Sequence, residues 1–193
     1  MSTDNFIKDG TGRGYLTRVD LDNRLRTFGV TRTEFDQATV DGEAFNLNTE
    51  LFAVSVTTEL PVLYLKNNEA RDIIVPAWFI GVDQGTLGAQ NGLWRAYFSP
   101  NNVTGGTAIS AVNRRSGSAR SFALDARRLP TWTPTGAPVL YQTQTLNSRV
   151  FGSVFLCVPA GQSIITTVEF PTATTPFNMY TGFTGYVIEE GSL

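Results

Sequence analysis

Residues 149–170 read RVFGSVFLCV-PAG-QSIITTVEF, two runs of β-branched and aromatic residues parted by Pro159-Ala160-Gly161. Runs of this kind suit a pleated, half-buried surface, and a Pro-x-Gly break between them is a tight-turn signal. The pattern continues in both directions. Downstream, residues 177–188 form one more run. Upstream, strands are expected over 51–56, 62–65, 72–82, 92–98, 107–112 and 139–145. Lys66-Asn67-Asn68-Glu69 and Ser99–Gly106 read as polar breaks. Residues 72–82 are apolar on both parities, which predicts a central strand covered on both faces. This gives about eight strands over residues 44–190, with spacings suited to an antiparallel sandwich or barrel. No repeat of 20–50 residues appears, which argues against a propeller or solenoid. Between Asn113 and Pro138 the strands give way to arginine pairs, small residues and Pro130, Pro134 and Pro138. This reads as a long excursion with a short strand near Ser121–Leu124, and loops of that length are often functional.

The amino terminus is different. Asp9 to Val30, DGTGRGYLTRVDLDNRLRTFGV, is polar and Gly-rich with a weak alternation through Tyr15, Thr17 and Val19. It can form extended strands but cannot bury much by itself, so it reads as an arm needing a surface to lie on. Two short strands joined by a turn at Asp20–Asn23 are expected. Thr31-x-x-Glu34 resembles a capping box opening a short helix over residues 33–40, and Asp41-Gly42 marks a turn after it. The expected division is an arm over 1–43 and a β-domain over 44–193.

Composition excludes several chemistries. The chain has 193 residues, 41% hydrophobic and only 17% charged, with a formal net charge of −2. A chain of this length buries roughly 70% of its unfolded surface, so one core suffices without staples. It has no histidine and one cysteine. Ser-His-Asp and Cys-His catalysis, His-ligated metals, internal disulfides and Cys-rich zinc sites are thereby excluded within the chain. Cys157 lies in the apolar run Val154–Val158 and reads as a small buried hydrophobe, with a reactive thiol as the alternative. MSTDNFIKDG has neither basic nor apolar signal-peptide regions, which predicts synthesis in a cytoplasm. The longest apolar run, residues 73–82, is interrupted by Pro76 and Gly81 and falls short of the roughly 20 residues that span a bilayer, so no membrane partner is expected.

Four motifs each have a plainer reading. Gly10-Thr11-Gly12-Arg13-Gly14 lacks the strand, helix and Lys-Ser/Thr of a phosphate loop, so it reads as a backbone hinge. Asp20-x-Asp22-Asn23 lacks the later glycine and glutamate of a calcium loop, and a turn is preferred. Asp72, Asp83 and Glu169 are the acids that could converge as a glycosidase pair. Trp78, Trp94, Trp132 and the aromatics Phe177, Tyr180, Phe183 and Tyr186 could form a sugar platform, although inward aromatics of a sandwich are more often core. Trp132, in the Pro-rich excursion, is expected to be the exposed one. No catalytic residue, cofactor or metal is predicted.

Arginine outnumbers lysine thirteen to two, through interface preference or coding bias. Arg114, Arg115, Arg120, Arg127 and Arg128 make the densest basic stretch, with only Phe122 interleaved, at a pI near 5.2. Nucleic acid is therefore disfavoured as a partner. These arginines, with Trp132, are instead expected to form an inter-subunit loop meeting acids of a neighbour.

The runs Asp9-Gly10-Thr11-Gly12, Val19-Asp20-Leu21-Asp22-Asn23-Arg24-Leu25, Ala44-Phe45-Asn46-Leu47-Asn48-Thr49, Val62–Glu69 (VLYLKNNE) and the late VIEEG of residues 187–191 resemble motifs of tailed-bacteriophage head structural proteins, the capsid decoration or cement proteins. The resemblance is dense only in 9–30, 44–49 and 62–69, and the excursion at 113–138 departs from it. It implies a jelly-roll-like sandwich, often trimeric, on the outside of a virion, with the major capsid protein as partner and no enzymatic activity. Under it, Arg13, Tyr15, Arg18, Asp20, Asn23, Arg24 and Arg26 are the arm residues expected to meet the capsid. A head- or tail-fibre module that binds a receptor or glycan is the alternative.

Overall fold

The computed structural model describes residues 6–8, 16–19, 25–26, 33–54, 58–83, 90–146, 149–171 and 177–188. Its internal contacts divide the chain into two units, Met1–Thr33 and Glu34–Leu193.

The first unit holds strands β1 (Phe6–Lys8), β2 (Leu16–Val19) and β3 (Leu25–Arg26) in one antiparallel sheet of order β1-β2-β3. The β2–β3 pair is the hairpin expected about Asp20–Asn23, with Val19 opposite Leu25 and Arg18 opposite Arg26.

The second unit begins with helix α1 (Glu34–Asp41), where the Thr33–Val40 segment was expected to turn helical. Gly42, at φ +79°, ends it. The Glu43 N–H donates to Ala38 O at 2.7 Å and the Gly42 N–H to Thr39 O at 3.3 Å, the two bonds of a Schellman cap. The sequence reading assigned this helix to the arm. It belongs with the β-domain because Phe35 and Ala38 pack with Ala44, Ile74, Tyr186 and Ile188.

The strands that follow are β4 (Ala44–Asn48), β5 (Phe52–Val54), β6 (Leu60–Asn67), β7 (Ile73–Asp83), β8 (Gln90–Phe98), β9 (Thr107–Ile109), β10 (Val112–Asn113), β11 (Leu124–Arg128), β12 (Leu140–Leu146), β13 (Arg149–Val158), β14 (Ser163–Glu169) and β15 (Phe177–Val187). One sheet runs β10-β4-β15-β7-β13, with β5 also on β15; the other runs β12-β8-β14-β6-β11-β9. Every pairing is antiparallel. Setting aside β5 and β9–β11, the main strands in chain order are first (β4) to eighth (β15). The sheets then read first-eighth-third-sixth and second-seventh-fourth-fifth, the connectivity of a jelly roll.

The core lies between these sheets, with Phe45, Leu47, Leu65, Trp78, Ile164 and Phe183 each fully buried. Trp78 of β7 stacks on Trp94 of β8 across the sandwich, centroids 3.9 Å apart and planes 9° from parallel.

Strand β7 carries a proline in its interior, which a central strand normally refuses because proline has no N–H to give. Both neighbours accommodate it. The β13 register slips between Ser153 and Leu156, and the β15 register slips between Thr184 and Tyr186, at the level of Pro76. The inward set of β7 changes parity there, from Ile73 and Val75 to Trp78, Ile80 and Val82. This is a physical source of the two-parity apolar pattern, beside the cover that α1 gives Ile74 on the outer face.

The excursion between β8 and β12 closes one flank of the sandwich. Its β10 extends one sheet beside β4, and its β11 and β9 extend the other beside β6. The strand expected near Ser121–Leu124 lies further on, at Leu124–Arg128, where five residues pair with β6. Phe122 instead packs on Phe45, with centroids 5.0 Å apart.

Candidate functional site

The arginines of the excursion point back onto the protein's own acids and rings. The Arg120 guanidinium donates to Glu43 at 2.9 Å and reaches Glu69 at 3.3 Å, while Arg71 meets the same Glu43 oxygen at 3.0 Å. Arg127 forms a two-pronged pair with Asp125, at 2.9 and 2.7 Å. Arg128 lies 3.7 Å from Glu50 and over the Phe52 ring. Arg114 donates to Asn46 at 3.0 Å, its guanidinium 4.9 Å above the Phe35 ring. Arg115 is exposed, in the tip that follows β10. Four of the five arginines proposed as inter-subunit contacts thus have partners within the chain.

Trp132 was expected to be exposed and is buried, at 9% exposure. It meets the Tyr97 ring edge-on at 5.1 Å and closes a cluster with Tyr64, Ile165 and Val103. The excursion folds back over the outer face of the second sheet, so a loop tryptophan finds a sheet surface that its neighbours in sequence do not announce. The sugar-platform reading loses its exposed member. Trp78, Trp94, Phe177 and Phe183 are core, and Tyr180 lies half-buried against Phe79.

On that same outer face Glu59 gathers three donors. It accepts from the hydroxyls of Tyr97, at 2.8 Å, and Thr167, and pairs with Arg95 at 3.3 Å. Arg95 also binds Glu169, at 2.8 Å. Burial works against the Arg95 charge, but the Glu169 hydrogen bond and the nearby Glu59 outweigh it and hold the guanidinium above its ordinary pKa. A glycosidase pair keeps one carboxyl protonated beside another with sugar between them. Here a guanidinium is wedged between the two acids instead. Asp72 is not part of this group. It accepts from the Ala160 N–H at 3.0 Å, ahead of β14, whereas Glu169 ends β14. The Asp83 side chain lies outside the described residues.

Cys157 is half-buried, its sulfur 3.9 Å from Asp72. Burial, then the Asp72 charge, pushes its thiol pKa up, the direction that disarms a nucleophile.

A cavity of about 120 Å³ lies between α1 and the end of β15. Ala38, Tyr186, Val187 and Ile188 give it apolar walls, and Glu34, Gln37, Asp41 and Glu43 its polar lining. That chemistry favours a cation with an aliphatic stem over an anion. Nothing in the sequence marked it, because its two walls are about 150 residues apart (Glu34 meets Tyr186 across 152 positions).

Tyr97 and Tyr186 both have phenol pKa values pushed up to about 12, first by burial and then by hydrogen bonds to Glu59 and Glu34. Above pH ~10 the unfolded chain loses these protons while the folded chain keeps them. Stability contributed by these groups is therefore complete below pH ~10 and lost as pH rises through about 12. Ultraviolet titration should show Tyr97 and Tyr186 ionising late. A titration curve unchanged by Tyr186→Phe would refute the assignment.

Of the predicted arm residues, Arg18 and Arg26 stand directly opposite one another in β2 and β3. Arg13, Tyr15, Asp20, Asn23 and Arg24 lie outside the described residues. Among the described residues there is no group of three or more His, Cys, Asp or Glu that could hold a metal ion, and no helix long and apolar enough to cross a membrane. Compared with protein-family models, curated proteins and solved structures, the chain matches none.

Proposed function

We propose that this chain is a non-enzymatic structural protein of a phage virion, a jelly-roll domain held on the outside of a capsid by its amino-terminal arm. The observation that carries the reading is the separate small sheet of Met1–Thr33. Strands of three, four and two residues cannot enclose a core, and such a sheet is marginal in water unless it lies on another surface. Its strand register puts Arg18 opposite Arg26. Strand addition by the arm gives affinity through backbone hydrogen bonds, and the arginines give orientation. The motif resemblance in residues 9–30 and 44–49 supports a capsid as that surface.

Deleting residues 1–32 should abolish co-sedimentation with capsids while the truncated protein keeps the circular dichroism and cooperative melting of a β-sandwich. Normal loading of the truncated protein would sink the arm-anchor reading.

A further inference from the structure

We infer that the flank formed by β12 and β13 is a docking edge for a second copy of this chain, joined through antiparallel pairing of β12 with itself about Thr143. The two flanks of the sandwich are treated differently. On one, the excursion leaves edges of only two or three residues, β10 and β9, and very short edge strands discourage further pairing. On the other, the sheets end among the described residues at β12, seven residues long, and β13, ten residues long. An open edge presents unpaired N–H and C=O groups to any strand that fits.

Strand β12 lacks the protections that a strand's own sequence and pairing can supply. Its sequence, LYQTQTL, carries no charge and no proline, and it pairs with β8 in unbroken register from Leu140 to Leu146, without the bulge that interrupts β13. Val139, just before β12, is 48% exposed, and Phe155, at the β13 bulge, is 82% exposed.

The order of residues says which partner fits. LYQTQTL is nearly a palindrome about Thr143. Antiparallel self-pairing centred there sets Leu140 against Leu146 of the second copy, Tyr141 against Thr145, Gln142 against Gln144 and Thr143 against Thr143. These are like-with-like or aromatic-with-β-branched pairs, the kinds that stabilise neighbouring strands. A two-fold axis requires one patch to complement itself, and this strand meets that condition. The one charge in the β12–β13 pair of strands, Arg149, lies outside the paired segment. Two-fold pairing closes at a dimer, where the motif resemblance implies a trimer.

The test is sedimentation of the full-length protein across micromolar concentrations, with two double variants that differ only in charge pattern. Tyr141→Glu with Thr145→Glu sets glutamate opposite glutamate twice in the proposed register. Tyr141→Glu with Thr145→Lys sets glutamate opposite lysine twice. Positions 141 and 145 pair with Arg95 and Asn91 of β8, on the parity that leaves out the core residues Trp94 and Ala96. The two variants should melt alike at concentrations where both are monomeric. The parent and the Glu/Lys variant should dimerise, and the Glu/Glu variant should dissociate about tenfold or more readily than the Glu/Lys variant. A parent that is monomeric throughout or trimeric, or double variants that associate equally, would overturn the inference.

Discussion

Trp78→Ala is expected to lower the unfolding free energy of the β-domain by about 3–5 kcal/mol, the range for removing a large aromatic from a core that cannot collapse onto the gap. Trp78 is fully buried, and its ring lies flat on Trp94 from the opposite sheet, so both sheets lose a contact at once. An aromatic pair adds about 0.5–1.5 kcal/mol beyond its buried area. Against a total stability of about 5–15 kcal/mol, this leaves the jelly roll marginal. One term opposes the loss. The indole N–H groups of Trp78 and Trp94 are both buried without a hydrogen-bond partner, so the substitution also removes an unsatisfied donor. That term separates the variants. Trp78→Phe keeps most of the stacking face and drops the orphan donor, and it should cost under about 1.5 kcal/mol. Urea unfolding of the two variants measures the difference. Equal destabilisation by both would mean that stacking is not what Trp78 contributes.

Gly182→Ala should be the second large loss, about 3 kcal/mol or more, from a single added methyl group. A Cβ built at Gly182 would come 2.2 Å from the Leu47 carbonyl oxygen and 2.4 Å from Phe79 Cζ. The oxygen is backbone of the neighbouring β4, so the clash cannot be relieved by a rotamer change; β4 must move away from β15. Phe79 stands directly opposite Gly182 in the β7–β15 pairing, and two residues along the same pair Tyr180 stands opposite Gly81. In both cases the glycine leaves room for the ring across from it, a use of glycine for space rather than for backbone freedom. Gly136→Ala is the contrasting control. There φ is +81° and no atom lies within 4 Å of the added carbon, so only the left-handed backbone is strained, at about 1–2 kcal/mol. Thermal unfolding that ranks Gly136→Ala as the worse variant would contradict this account.

The functional surfaces were less legible than the strands. The arm hairpin was readable because Asp20–Asn23 is a local turn signal, and its two strands lie within a few residues of it. The cavity beneath α1 and the Glu59–Arg95–Glu169 cluster were not, since their members come from segments far apart in the chain. The excursion arginines were visible as a basic run, but their partners Glu43, Glu50 and Glu69 lie some 50–80 residues earlier, and nothing local links them.

The sequence by itself determined an antiparallel β-protein with a small helix ended by Gly42, separated from a polar arm that cannot form its own core. It also ruled out histidine and paired-cysteine chemistry within the chain. Those conclusions rest on local quantities: alternation, turn residues and composition. Tertiary structure alone decided that Pro76 switches the inward parity of β7, that the excursion wraps one flank and that Trp132 is buried by it. These depend on which surface covers a residue, and here the covering surface is distant in sequence, as in the bond from the Thr49 hydroxyl to Thr181 O across 132 positions. Period tells which side chains share a face. Only the assembled sheets tell what that face meets.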